Sequence, residues 1–315
     1  MSLSVVITLF NKEKYIAATI KSVLKQSYAD YELVIIDDGS TDKSVKIVQS
    51  FSDPRIRLIQ QANQGVSKAR NIGVEKAKNS VISFLDGDDE WKENFLETIV
   101  ALINKYPEAG IYGVSYFTRF NQENRITTHK NDLKEGWEGI INDYVEYFHK
   151  RIAIHSSSFA IKKEAFYSVG GFRVGDIMSE DLLFVLQVLY KNKLAYKNIC
   201  CVYYNQGFDG QVTSRQFEYS KDSLMNGIRR MLATEKGLTT EDRKVLKTVF
   251  DTRLRHLFQF NISNGNGIDR KYSKQFLMAK GRAYSTLLLM LSFLPAKSLL
   301  RLYSLFRKIK RKVGH

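Results

Sequence analysis

The sequence predicts an α/β fold, with a mostly parallel central sheet covered by helices on both faces and a C-terminal helical extension. Three observations carry this expectation. Short β-branched runs alternate with amphipathic segments through the first hundred residues, the links between them are short, and polar clusters close four successive runs. Of the 315 residues 44% are apolar and 26% charged, a balance that can bury a substantial core.

Strands are expected at SVVITLF (4–10), YELVIID (31–37), IRLIQ (56–60) and SVISFL (80–85), with helices near 13–26, 42–51, 65–78 and 92–105. Parallel sheets of this kind bind ligands outside the carboxyl ends of their strands. FNK (10–12), DDGS (37–40), NQG (63–65) and DGDD (86–89) all fall there, so four strand ends should meet at one crevice. Between about 109 and 215, GIYGVSYF, IHSSSFAI and AYKNICCVYY read as strands and Ser179 to Asn192 as a helix, an extension suited to a second substrate. From about 217 the pattern is helical, with NGNG (264–267) as its clearest break, and the domain boundary is expected near 216.

No run reaches 18 apolar residues, so no spanning helix is expected. MSLSVVITLF has neither a basic start nor a small-residue cleavage site and does not read as a signal peptide. Cys200 and Cys201 are adjacent and alone, which suits neither a disulfide framework nor a four-ligand zinc site and points to a reducing, cytosolic setting. The net charge of +15 is lopsided. From Lys271 onward there are 11 Lys and Arg and no Asp or Glu, which argues against a nucleic-acid partner spread around a site.

The densest chemistry is FLDGDDEW (84–91), where Asp86, Asp88, Asp89 and Glu90 follow an apolar strand. Carboxylates so close repel unless a cation or hydroxyl groups relieve them. Gly87 between Asp86 and Asp88 is expected to bend the backbone so that both face one ligand, one carboxylate ligating Mg²⁺ or Mn²⁺ and the other receiving ribose hydroxyls. In DDGS, Gly39 frees a turn, Ser40 or Thr41 can cap the next helix, and Asp38 either completes that turn or accepts from an N–H of a base. Arg70, one turn beyond Val66, is expected to reach the crevice and meet phosphate or a base carbonyl.

Together TLFNKEKYI (8–16), VIIDDGSTD (34–42), NQGVSKARNIG (63–73), ISFLDGDDEW (82–91), VGGF (169–172) and SEDLLF (179–184) resemble glycosyltransferase family 2, inverting nucleotide-sugar enzymes of the GT-A fold. The resemblance covers about residues 2 to 215. It implies a catalytic domain over 1–216, with a nucleotide-sugar half to about 108 and an acceptor half from 109; the helical region over 217–315 lies outside it. It also implies a nucleotide-sugar donor, most often a UDP-sugar, and a glycan or lipid-linked acceptor. By matching motif, Thr8, Phe10, Asn11, Asp38, Asn63, Arg70, Asp86 and Gly87 would bind the donor, Asp88 the metal, and Asp181 would be the catalytic base.

The residues agree with such chemistry. A carboxylate opposite the leaving group accepts the proton of the attacking hydroxyl, and a metal at Asp88 would neutralise charge on the leaving phosphate. Ser179 reads as an N-cap, setting Glu180 and Asp181 in a first helical turn where the dipole favours the ionised form. Many relatives carry a histidine after this helix, but YYNQGFDGQVTSR (203–215) has none, so Thr213, Ser214 or Arg215 would touch the diphosphate in a closing loop. Glu180 and His155 are candidates for the acceptor side. In the tail, Leu299, Leu302, Tyr303, Phe306 and Ile309 share one helical face, with Lys297, Arg301, Arg307, Lys308, Lys310, Arg311 and Lys312 around it. Such a helix can lie on an anionic membrane or dock on the domain, and the first reading makes the chain peripheral on the inner face of the cytoplasmic membrane.

Overall fold

The computed structural model describes residues 1–120, 125–128, 131–176, 178–206 and 222–263. In chain order the elements are β1 (Leu3–Leu9), α1 (Ile16–Leu24), β2 (Tyr31–Asp37), α2 (Ser44–Gln49), β3 (Ile56–Gln60), α3 (Val66–Lys76), β4 (Val81–Asp86), β5 (Glu90–Trp91) and α4 (Phe95–Lys105). There follow β6 (Ile111–Phe120), β7 (Arg125–Thr128), β8 (Glu138–Ile141), α5 (Tyr144–His149), a 3₁₀ turn (Ser156–Ser158), β9 (Phe159–Lys162), α6 (Lys163–Ser168), α7 (Glu180–Lys191) and β10 (Leu194–Gln206).

The first four long strands pair in parallel in the order β3-β2-β1-β4. β1 and β2 have neighbours on both edges and helices on both faces, and are buried almost throughout. That double cover is why they read as continuous apolar runs. Past β4 the sheet becomes mixed. β9 lies antiparallel between β4 and β6, and β10 runs parallel to β6 over a ten-residue register. β5 and β8 pair antiparallel with β10, and β7 with β6. Cys200 and Cys201, both free thiols, lie where the β10 register shifts.

Two packed layers hold the sheet. On one face Ile16, Ile20 and Val23 of α1 and Phe95, Ile99 and Leu102 of α4 pack on Val5, Ile7, Leu33 and Ile35. The other is aromatic: Phe84, Phe159, Phe166, Phe172 and Phe184 form a chain of ring contacts, Phe172 stacking on Phe184 of α7 at 4.1 Å.

Three expectations fail locally. IHSSSFAI is not one strand, because three consecutive serines turn the chain before Phe159 starts β9. Ser40 and Thr41 do not cap α2; the Ser44 N–H is met by Asp42 Oδ1 instead. Ser179 precedes α7 in a left-handed conformation (φ 59°) and its side chain makes no capping hydrogen bond. The short elements β5, β7, β8, α5 and α6 span too few residues for a periodic pattern to show.

By compactness the chain divides into Met1–Ser214 and Arg215–His315. In the second unit Asp222 caps α8 (Ser223–Thr234), accepting from the Met225 N–H, and is paired with Arg253 of α9 (Thr240–Ser263) at 2.8 Å. Among the described residues no helix is long and apolar enough to cross a membrane. Thr213, Ser214, Arg215, the NGNG break and the basic tail lie outside the described residues.

Candidate active site

Each of the four acids of FLDGDDEW has a protein partner of its own. Asp86 is held by the Arg70 guanidinium, with Nη2 at 2.8 and 3.1 Å from its two oxygens. Asp88 accepts from Lys12 Nζ at 2.6 Å. Asp89 is fully buried and accepts from Ser157 Oγ at 2.6 Å and from the Asn205 N–H at 3.0 Å. Glu90 pairs with Arg119 at 2.7 Å. Gly87 lies between Asp86, paired with Arg70, and Asp88, paired with Lys12. Its role is close approach, since a Cβ there would stand 3.0 Å from the Thr8 carbonyl oxygen and 3.5 Å from Lys12 Cγ.

Arg70 does not extend into the crevice toward phosphate or base, as its position on α3 led us to expect. It is 2% exposed and joins two parts of the chain 110 residues apart. Nη1 donates to Glu180 at 2.9 Å, Nη2 to Asp86 and to Ser156 Oγ, and the guanidinium lies over the Phe172 ring at 5.0 Å. Next to it, Asn71 donates to the Phe172 carbonyl at 2.8 Å and accepts the Phe172 N–H at 2.9 Å. The ARN, VGGF, SED and DGD motifs thus meet at one charge. Val66, Ala69, Arg70, Gly73 and Val74 recur at helical spacing, so the wheel of α3 already sets Arg70 on the buried stripe.

The electrostatics follow from this burial. Burial alone would raise Asp86, but the Arg70 charge and hydrogen bonds from Arg70 and Ser156 outweigh it and hold its pKa below the usual value. Asp89, buried beside Asp88 and Asp86, is pushed well above the ordinary carboxylate range. Glu180 is raised to about 7, by burial first and by the neighbouring Asp181, against the pull of Arg70. Arg70 itself is held above its ordinary value: burial opposes this, while Asp86, Glu180 and Asp181 prevail.

The serine turn supports the acidic loop from beneath. Ser156 Oγ donates to Asp86 Oδ2 at 2.8 Å, Ser157 Oγ accepts the Asp86 N–H, and the Ser157 carbonyl accepts from the Trp91 indole at 2.7 Å. His155 begins the turn, its Nδ1 accepting the Ser157 N–H at 3.3 Å while Ser158 Oγ accepts the His155 N–H. Burial lowers its pKa to about 4. It is therefore neutral, and its 4.0 Å approach to Asp89 is not an ion pair. Its ring is flanked by Tyr116 at 4.5 Å and Tyr204 at 4.7 Å, and its Nε2 has no hydrogen-bond partner.

The remaining candidates line the first two strand ends. Thr8 Oγ1 donates to Asp86 Oδ1 at 3.2 Å. Phe10 is 43% exposed. Asn11 is left-handed (φ 51°), and its Oδ1 accepts the Thr41 N–H at 2.8 Å. Asp38 is buried and accepts from Gln61 Nε2 and from the N–H groups of Gln64 and Gly65, at 2.7 to 2.9 Å, so in this structure its donors belong to the protein itself. Asn63 is exposed on that loop, where Gly39 (φ +78°) comes so close that a Cβ would meet the Asn63 nitrogen at 2.9 Å. Asp181 is half-buried in the first turn of α7, with Oδ1 accepting the Leu182 N–H at 2.8 Å. Its neighbour Glu180 shares Arg70 with Asp86, so the two acidic motifs lie on opposite sides of one guanidinium.

Among the described residues no group of three or more His, Cys, Asp or Glu side chains could hold a metal ion. An all-protein cage is thus not built from them. A site of one carboxylate completed by substrate phosphates, the habit of Mg²⁺ and Mn²⁺, fits Asp88, provided that Lys12 yields its oxygen.

The model of glycosyl transferase family 2 matches residues 4–170, more than half of the 315. The chain belongs to this family. Among its relatives, glycosyltransferase GlyG of Streptococcus pneumoniae is 36% identical over 117 residues, which are 36% of this chain and 39% of that protein. UDP-Glc:alpha-D-GlcNAc-diphosphoundecaprenol beta-1,3-glucosyltransferase WfgD of Escherichia coli is 40% identical over 111 residues, 35% of this chain and 44% of WfgD. The chain thus spans less than half the length of these curated relatives. A crystal structure of S. aureus TarS 1–349 in complex with UDP-GlcNAc superposes with a TM-score of 0.66 at 17% identity, covering 100% of this chain and 93% of that one. The likeness is one of fold, and the fold of this family-2 chain is GT-A.

Proposed function

We propose that this chain is an inverting glycosyltransferase that moves a sugar from a nucleotide diphosphate, most simply a UDP-sugar, to a hydroxyl of a lipid-linked glycan in cell-envelope assembly. The observation that carries the reading is the shared guanidinium. Arg70 ties the acidic loop after β4 to the first turn of α7, so Asp181 stands one residue from a group that is ion-paired to the same cation as Asp86. Family membership and the names of WfgD, a glucosyltransferase using UDP-Glc, and TarS, solved with UDP-GlcNAc, support the donor class.

In this reading Asp181 accepts the acceptor's hydroxyl proton, the freed oxygen forms its bond to the anomeric carbon from one side, and the bond to the diphosphate oxygen breaks on the other. The electron pair leaves with the nucleoside diphosphate, and one displacement inverts the centre. Asp88 would hold Mg²⁺ or Mn²⁺, which when bound neutralises charge on the leaving diphosphate. Thr8, Phe10, Asn11, Asp38, Asn63, Asp86 and Gly87 are assigned to the donor side, and Glu180 and His155 to the acceptor side. Thr213, Ser214 and Arg215 are kept as diphosphate contacts on sequence grounds alone. The basic tail, rich in Lys and Arg, is proposed to keep the protein at the anionic inner face of the membrane.

A thermal-shift panel of nucleotides and nucleotide-sugars with and without Mn²⁺ tests the donor assignment. Uridine species should raise Tm, and Asp88→Ala should abolish the metal-dependent part; a flat response across the panel removes the reading. Asp181→Asn should keep the Tm shift and lower transfer or donor hydrolysis by about 10²–10⁴-fold.

A further inference from the structure

Lys12 closes the FNK cluster after β1, and the family resemblance assigns it no role. It stands in the turn after β1, and that turn is fastened on both sides of it. The Lys12 N–H donates to Ser44 Oγ at 2.8 Å, its carbonyl accepts the N–H groups of Tyr15 and Ile16, and the Asn11 N–H donates to Ser40 Oγ. Asn11 itself takes the left-handed conformation, which an asparagine adopts at small cost and which redirects the chain within one residue. The side chain then runs across Gly87, where a Cβ would lie 3.5 Å from Lys12 Cγ, and ends on Asp88 Oδ2 at 2.6 Å. Lys12 and Asp88 are 14% and 11% exposed, so the pair is largely but not wholly shielded from water. Arg70, the cation on Asp86, is 2% exposed and already spans two acids, and Arg119 is paired with Glu90. Of the cations on Asp86 and Asp88, Lys12 is the more exposed.

We infer that Lys12 is a donor-binding residue: its ammonium occupies Asp88 in the nucleotide-free chain and transfers to the diphosphate when a donor enters. The inference rests on the donor-site reading above. A divalent ion and an ammonium cannot share Asp88 Oδ2 at contact distance, because like charges a few ångströms apart repel strongly in a shielded site. The nucleotide-free protein should therefore resist the metal, and the donor's anionic diphosphate releases Asp88 by giving Lys12 another partner. In the absence of any divalent ion the same ammonium still offers the diphosphate a counter-charge, so weak donor binding persists without metal.

The test uses the full chain and two readouts that need no turnover. Mn²⁺ binding to nucleotide-free protein, followed by electron paramagnetic resonance, should be about tenfold tighter in Lys12→Met than in wild type. It should be unchanged in Lys12→Arg and absent in the double variant Lys12→Met/Asp88→Asn. UDP binding in EDTA, measured by calorimetry, should be about tenfold weaker in Lys12→Met and retained in Lys12→Arg, a factor equivalent to about 1.4 kcal/mol. Thermal melts of all variants identify any that fail to fold, and Lys12→Gln then replaces Lys12→Met. Equal Mn²⁺ affinity in wild type and Lys12→Met, or equal UDP affinity in EDTA, overturns the inference while leaving the donor site in place. Wild-type protein that binds no uridine nucleotide under either condition removes the donor-site reading and this inference with it.

Discussion

Arg70 is a buried cation between two partly buried acids, and neither desolvation nor attraction is small there. Removing one member of such a group is costly because it leaves uncompensated charge behind. Arg70→Met should lower stability to urea by about 3–5 kcal/mol, and the triple variant Arg70→Met/Asp86→Asn/Glu180→Gln should recover part of the loss. Lysine at this position cannot replace the fork, since one ammonium lacks the spaced donors that Arg70 directs to Asp86 and Glu180. The acids of the site also leave a mark on pH. Glu180 is raised from 4.5 to about 7 in the folded chain, so the folded state holds a proton that the unfolded state has released. Stability from this group is complete below about pH 4.5 and declines as pH rises toward 7. Glu180→Gln lacks that slope. Its stability relative to wild type should rise across the window by on the order of a few kcal/mol, and parallel urea titrations from pH 4.5 to 8 would show it; a constant difference would contradict the assignment.

Among elements, the 3₁₀ turn Ser156–Ser158 does the most with the fewest residues. Three hydroxyls in a row are poor material for a strand interior, and here each is consumed: Ser156 on Asp86, Ser157 on Asp89 and the Asp86 N–H, Ser158 on the His155 backbone. The turn therefore sets the height of the acidic loop against β9. Ser157→Ala leaves a buried carboxyl and a buried N–H each short of a partner, and should destabilise by about 1–3 kcal/mol. It should also weaken uridine nucleotide binding in the thermal-shift assay, whereas Ser168→Ala, which loses a local bond within α6 to the Ala165 carbonyl, should not. From sequence this turn reads as part of a strand, because the flanking Ile154 and Phe159–Ile161 are strand-like and nothing local shows where the hydroxyls point.

For the whole molecule, the charge asymmetry makes a separate prediction. Eleven Lys and Arg without an acid after residue 270 supply a basic segment whose attraction to an anionic surface weakens with salt. The full chain should co-sediment with vesicles containing anionic lipid and be released by raised salt, and a chain lacking residues 286–315 should stay in the supernatant. Heparin retention that survives the same deletion would move the basic partner site elsewhere. Both units carry their own buried polar anchors, Arg70 in the first and the Asp222–Arg253 pair in the second, so the deletion removes neither.

The parallel run of β1 to β4, the helices between them and the polar clusters at their ends were legible from the sequence, because a strand covered on both faces must be apolar throughout and a strand end that meets ligand cannot be. Asp86, Asp88 and Asp181 stood out as residue types in a recognisable order. Their partners did not. Whether an acid faces a lysine from the turn after β1 or an arginine from α3 depends on contacts 76 residues apart for Asp88, 16 for Asp86 and 110 for Glu180, and sequence periodicity reports only which face of its own element a residue takes. Tertiary packing alone decided which neighbour each acid of FLDGDDEW has, Arg70 for Asp86, Lys12 for Asp88, Ser157 and Asn205 for Asp89 and Arg119 for Glu90, since those partners lie far away along the chain and a buried polar group is costly without one.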